Sequence, residues 1–205
     1  MYKDYKIKII RKKIKNTYIR VKNDNIVVTT NYLTPKIVVM NLIKNNSDSI
    51  EKMIIKEKRK QELEQDFYLF GEKYDIIYDE KVNDISILNN KIIVQNEKEL
   101  NNYLENIIKE KFSNHLNYWY NKFEENIPIP NLKIRKMTSR WGVCNTKNHN
   151  ITLNYYLYKY NISCLDYVIV HELSHFIEGN HSQSFWNIVE KYYPNYKEIK
   201  KLLRS

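Results

Sequence analysis

Apolar and polar residues alternate along 5–10 and 18–22, and 26–30 is a third short β-prone run. This is the pattern of half-buried strands, whose successive side chains face opposite ways. With Asn23-Asp24-Asn25 as the turn between the second and third runs, the pattern predicts an N-terminal antiparallel meander. The period then lengthens to that of a helix. Thr34 and Pro35 are read as N-cap and first residue of a helix over 36–44, and Ser47 or Ser49 as the cap of a second helix running to about residue 60.

Strand periodicity returns at 67–70 and 74–78 around Gly71, and at 85–88 and 92–94 around Asn89-Asn90, a pair suited to a tight hairpin. Helical spacing through Leu100, Leu104, Ile108, Phe112, Leu116, Trp119 and Phe123 predicts a long helix over 97–125, closed by Pro128-Ile129-Pro130. Further strands are expected over 132–137 and 151–157, with a turn at Arg140-Trp141-Gly142. Val168, Ile169, Val170, Leu173, Phe176 and Ile177 then define a buried helix, for which Ser163 and Asp166 resemble a capping box. Ser182 caps a following helix through Phe185, Trp186, Ile188, Val189, Tyr192 and Tyr193. The fold class implied is α+β, with an N-terminal β and helical region over 1–127 packed on a catalytic half over 128–205.

The buried helix carries the chemistry. His171 and His175 are four residues apart, so on a helix their imidazoles share one face and can hold one Zn²⁺. Glu172 stands beside the pair, able to reach a water on the metal without being a ligand; this is the H-E-x-x-H arrangement of two ligands and a general base. A catalytic zinc takes three protein ligands and keeps one position for water. His181 is the leading third ligand, returned by a left-handed C-cap at Gly179, and Glu190 on the next helix is its rival. Arg140, Tyr155, Tyr156 and Tyr167 are weighed as oxyanion donors and left outside the catalytic set, since buried aromatics usually fill cores. His115 is read as a core or surface histidine.

Several of these motifs occur in order: Ser139-Arg140-Trp141-Gly142-Val143-Cys144, Asn150-Ile151-Thr152-Leu153-Asn154, the stretch from Asp166 to His175, then Asn180-His181-Ser182 and Phe185-Trp186. Together they resemble the YgjP-like metallohydrolases, small zincins related to the SprT/WLM proteases. The detailed likeness covers about residues 130–195. It implies a zincin core, Zn²⁺ on His171, His175 and His181, and Glu172 as the base acting on a zinc-bound water. Val143 departs from the family, whose members usually carry Ser between the Gly and the Cys. By analogy with zincins, the strand around 151–154 is the expected sheet edge for an extended substrate.

Composition narrows the class further. Of 205 residues, 42% are hydrophobic and 28% charged, as in a globular protein rather than a disordered one. No run approaches a membrane span, the first residues lack the apolar core of a signal peptide, and Cys144 and Cys164 form no close-spaced pair. The expected place is the cytoplasm, with no membrane partner and a monomer by default.

The net charge of +10 is uneven: residues 1–60 hold 16 Lys and Arg against 5 Asp and Glu. Such an excess is either a solvated Lys-rich surface or a footprint for nucleic acid, nucleotide phosphates or an acidic partner. If nucleic acid is bound, the expected face is the second helix, with Lys56, Lys58, Arg59 and Lys60. The leading function is a zinc metallopeptidase acting on protein or peptide. The alternatives are a nucleoside triphosphate hydrolase on the same metal site, and a nucleic-acid-associated protease recruited by the basic N-terminal region.

Overall fold

The computed structural model describes residues 5–22 and 24–204. Asn23 of the predicted turn lies outside the described residues, as do the side chains of Arg59 and Lys60. The chain forms two compact units, one up to Gln65 and one from Asp66 to Arg204. The boundary read from the sequence, at 127 and 128, lies inside the second unit, where Phe123 and Ile127 share one core with Ile151 and Leu153.

The first unit is a three-stranded sheet under two helices. Its strands are β1 (Lys6–Arg11), β2 (Tyr18–Lys22) and β3 (Asn25–Thr30), in the order β1-β3-β2. The predicted antiparallel meander is corrected here: β2 and β3 pair antiparallel, but β1 runs parallel to β3, from Lys6 opposite Asn25 to Arg11 opposite Thr30. Alternation marks a strand without naming its partner. β3 takes the centre because Ile26, Val28 and Thr30 are all fully buried, and residues 12–17 carry the chain past its end. Helix α1 (Lys36–Asn45) has Pro35 rather than Thr34 as its N-cap, since the Thr34 hydroxyl instead accepts from that of Thr30 at 3.0 Å. Helix α2 (Ser47–Gln65) outruns the expected end at 60. Val39, Ile43, Ile50 and Ile54 close the core over Ile26 and Val28, each such side chain contributing roughly 1.5–3 kcal/mol of burial.

The second unit begins with β4 (Phe67–Leu69), β5 (Glu72–Tyr78), β6 (Ser86–Leu88) and β7 (Lys91–Val94), ordered β4-β5-β7-β6. Both hairpins turn through left-handed pairs, Phe70-Gly71 at φ 51° and 90° and Asn89-Asn90 at φ 49° and 59°. This matches the right-handed twist of the strands. Helix α3 (Glu97–Tyr120) buries Leu100, Leu104, Ile108, Phe112 and Leu116 along one stripe and stops short of the expected 125.

The second sheet of this unit frames the site. It comprises β8 (Asn131–Arg135), β9 (Gly142–Asn145) and β10 (Asn150–Asn154), in the order β8-β10-β9. β10 is central, parallel to β8 and antiparallel to β9. The edge expected at 151–154 is therefore corrected: Ile151 and Leu153 are fully buried, and the edges are β8 and β9. β10 also ends at Asn154 rather than 157, because the Asn154 side chain accepts from the Tyr156 N–H and opens a 3₁₀ turn, Tyr155–Lys159. Helices α4 (Ile162–Ser174), α5 (Gln183–Tyr192) and α6 (Tyr196–Arg204) complete the unit. No helix among the described residues is long and apolar enough to cross a membrane.

Candidate metal centre

Nearly all of α4 is buried, so its polar residues are held by specific partners. Its N-cap is Asn161, whose side chain accepts from the Ser163 N–H at 3.0 Å, and the expected Ser163 and Asp166 capping box does not form. The Asp166 carboxylate faces α3 instead, 2.7 Å from both Nδ1 of His115 and Nε1 of Trp119. That bond explains His115, and it pins α4 to the long helix.

The helix closes at His175, its C-cap, with tightened bonds from Phe176 N–H to the Leu173 carbonyl and from Ile177 N–H to that of Ser174. Among the described glycines only Gly71 has positive φ, so the left-handed cap expected at Gly179 is corrected to this 3₁₀ ending. The chain still turns back. Ser182 caps α5 by accepting from the Phe185 N–H, and the rings of Phe185 and Trp186 pack at 4.8 and 5.7 Å from that of His181.

The three predicted histidines are brought together. His171, His175 and His181 each offer a ring nitrogen within 4.8 Å of the others, and Nε2 of His171 lies 3.1 Å from Nε2 of His181. Two imidazole nitrogens bound to one tetrahedral zinc at 2.0–2.1 Å are about 3.3 Å apart, so the donor set fits that ion. Nδ1 of His175 faces the Glu178 carbonyl at 3.1 Å; donating there leaves Nε2 as the lone pair. Burial, then His175, His181 and Lys200, pushes His171 down to about 3, which keeps its ring neutral. Its Nδ1 is buried without a hydrogen-bond partner among the described residues. Burial likewise lowers His175. The rival ligand Glu190 is exposed and 3.3 Å from Lys197, outside the cluster.

Glu172 is 4% exposed and sits against Gly142 at the start of β9. Burial raises its carboxyl to about 8, opposed by a hydrogen bond from the Cys144 backbone N–H and by the charge of Arg140. Burial and then Glu172 push the Cys144 thiol up to about 12, which removes it as a nucleophile. Neither cysteine is in a disulfide.

A cleft of about 470 Å³ opens over His171, Glu172 and His181, walled in part by Tyr167, Trp186, Lys200 and Leu203. Tyr155 and Tyr156 do not line it. The sequence reading missed α6, which delivers Lys200 to the cleft with its Nζ 3.5 Å from the centre of the Trp186 ring. Nε1 of Trp141 donates to the Leu203 carbonyl at 2.9 Å and holds that helix in place. The helical spacing of Tyr196, Ile199 and Leu203 was the available signal.

The YgjP-like, metallopeptidase domain family matches residues 15–205. Two solved metallopeptidase zymogens are similar over about half of this chain. Abylysin of Pyrococcus abyssi is 25% identical over 49% of this chain and 90% of its own, with a TM-score of 0.34. Jannalysin of Methanocaldococcus jannaschii is 27% identical over 47% and 94%, with a TM-score of 0.36. No curated protein matches the chain. Since the family match runs through both units and includes every residue of the histidine cluster and its carboxylate, the chain belongs to the YgjP-like metallopeptidase family.

Proposed function

We propose that the chain is a zinc-dependent metallopeptidase of zincin type, with one Zn²⁺ held by His171, His175 and His181 and Glu172 as its general base. The observation that carries this reading is the convergence of three imidazole nitrogens within 4.8 Å beside a carboxylate that is 4% exposed. Zn²⁺ in such a site supplies Lewis-acid charge, which lowers the pKa of a bound water to about 7 and draws a neighbouring carboxyl down as well.

Glu172 takes a proton from the attacking water as its oxygen adds to the peptide carbonyl carbon. Glu172 then gives that proton to the leaving nitrogen as the C–N bond breaks. The Cys144 N–H and the wall at Gly142 fix where the carboxylate points. β9 is the sheet edge beside this group, and it offers main-chain groups to an extended peptide. Two cysteines outside any disulfide fit a reducing compartment, the cytoplasm.

Lys200 in the same cleft favours one rival, hydrolysis of a nucleoside triphosphate, whose phosphates need a facing cation. Mass-spectrometric product analysis of the zinc-loaded chain with denatured polypeptides and nucleoside triphosphates separates the two. New peptides from the wild type and none from Glu172→Gln support the peptidase; Glu172-dependent release of phosphate or pyrophosphate alone overturns it.

A further inference from the structure

The solvent face of the first unit's sheet gathers cations that have no part in the histidine cluster. Along β1, Lys6 and Lys8 alternate with the inward Ile7 and Ile9; along β2, Arg20 and Lys22 alternate with Ile19 and Val21. The register lays them in two rows across β3. Lys6, Asn25 and Lys22 form one row, and Lys8, Val27 and Arg20 the next. A third row is Ile10, Thr29 and Tyr18, with Tyr18 50% exposed.

All four cations are exposed, and no acidic residue occupies any of the nine positions. Two residues along a strand span about 6.7 Å and two strand spacings about 10 Å, so the backbone anchors these four side chains at the corners of a rectangle of that size. Lys12, Lys13 and Lys15, all exposed, extend the positive field beyond β1. Arg11 does not join it, because its guanidinium donates to the carbonyls of Asn31, Tyr32 and Thr34.

The basic face expected on α2 is a weaker footprint. There Lys52, Lys56 and Lys58 are interspersed with Glu51 and Glu57, which cancel much of the field. On the sheet no acid shares the nine positions of these rows, and a half-exposed ring lies beside the cations. We propose that this sheet face binds the phosphate backbone of a single-stranded nucleic acid, with Tyr18 stacking on a base. An open sheet accepts bases that are splayed out, which a duplex does not offer.

The test is fluorescence anisotropy of the full zinc-loaded chain with labelled oligothymidylate at about 50 and 200 mM salt. Lys8→Gln/Arg20→Gln is expected to weaken binding at least about 10-fold and to flatten the salt slope by about 1.4, the value for two lost contacts on a single strand. Lys52→Gln/Lys58→Gln removes the same charge from α2 and is expected to cost less than about 2-fold. Tyr18→Ala is expected to cost about 5-fold with the salt slope unchanged. The proposal is overturned by no wild-type binding at the lower salt, or by equal losses in the two double variants. It is overturned equally by tighter binding of a duplex, or by polyglutamate of equal charge displacing the oligonucleotide.

Discussion

Gly142 leaves the space that Glu172 fills. A Cβ at position 142 would stand 2.7 Å from Cγ and 2.8 Å from Cδ of Glu172, and closer still to Oε1. The glycine is there for room, since its backbone has no positive φ. Gly142→Ala is therefore expected to push the carboxylate off its position without touching a histidine. An ångström of displacement costs on the order of 100-fold in rate. Peptidase kcat is expected to fall by about that factor while zinc content, measured by elemental mass spectrometry, stays at the wild-type level.

The third ligand is testable by metal content alone. His181→Ala is expected to weaken zinc binding beyond the roughly 10–100-fold that outer-shell changes cost. Glu190→Ala is expected to leave it unchanged, because Glu190 faces Lys197 and not the cluster. Competition with a chromogenic chelator measures both, and the reverse ranking would move the ligand to α5.

The metal-free protein is expected to have opposed pH dependences. His171 falls from 6.5 to about 3 on folding, so the unfolded chain binds the extra proton and stability is lost as pH falls from 6.5 towards 3. Glu172 rises from 4.5 to about 8, so the folded chain binds the extra proton and stability is lost as pH rises from 4.5 towards 8. Urea midpoints across this range in chelator should show both limbs. Glu172→Gln should remove the alkaline one and leave the acid one.

Asn154 is 3% exposed and fully used: its amide donates to the Met137 and Arg140 carbonyls at 2.9 and 2.7 Å, and its carbonyl accepts from the Met137 and Tyr156 N–H groups. Asn154→Ala removes all four of these part-buried hydrogen bonds and is expected to cost about 2–4 kcal/mol. A lower urea midpoint at unchanged slope would report it. Activity should fall too, because the segment that Asn154 anchors leads into Gly142.

What was legible in the sequence was local. Residues four apart on one helix brought His171 and His175 together, Ser182 capped α5, and both hairpin turns fell where Gly71 and Asn89-Asn90 tolerate left-handed backbone. The misread helix cap and strand pairings involve partners distant in the chain, whereas the ends misplaced at Thr34, Asn154 and Gly179 turned on bonds between near neighbours. Asp166 resembled a cap only until His115 and Trp119, about 50 residues earlier, claimed its carboxylate. β1 and β10 were recognised as strands, but the neighbour of each is set by burial of the whole sheet rather than by its own alternation. Gly142 carried a faint signal: the chain has only 3 glycines, so each marks a place where a side chain was not tolerated or not needed.

His175 is at once the last residue that α4 organises and a member of the cluster, and its Nδ1 ties it to Glu178 in the loop leading to His181. Whatever ion fills the cluster thus clamps a helix terminus to the segment that follows. Occupancy and local order become one equilibrium: a cation that binds only the closed arrangement lowers the frequency of fraying at 173–181 by the same factor that fraying lowers its affinity. Amide exchange in that segment would then serve as a gauge of metal loading.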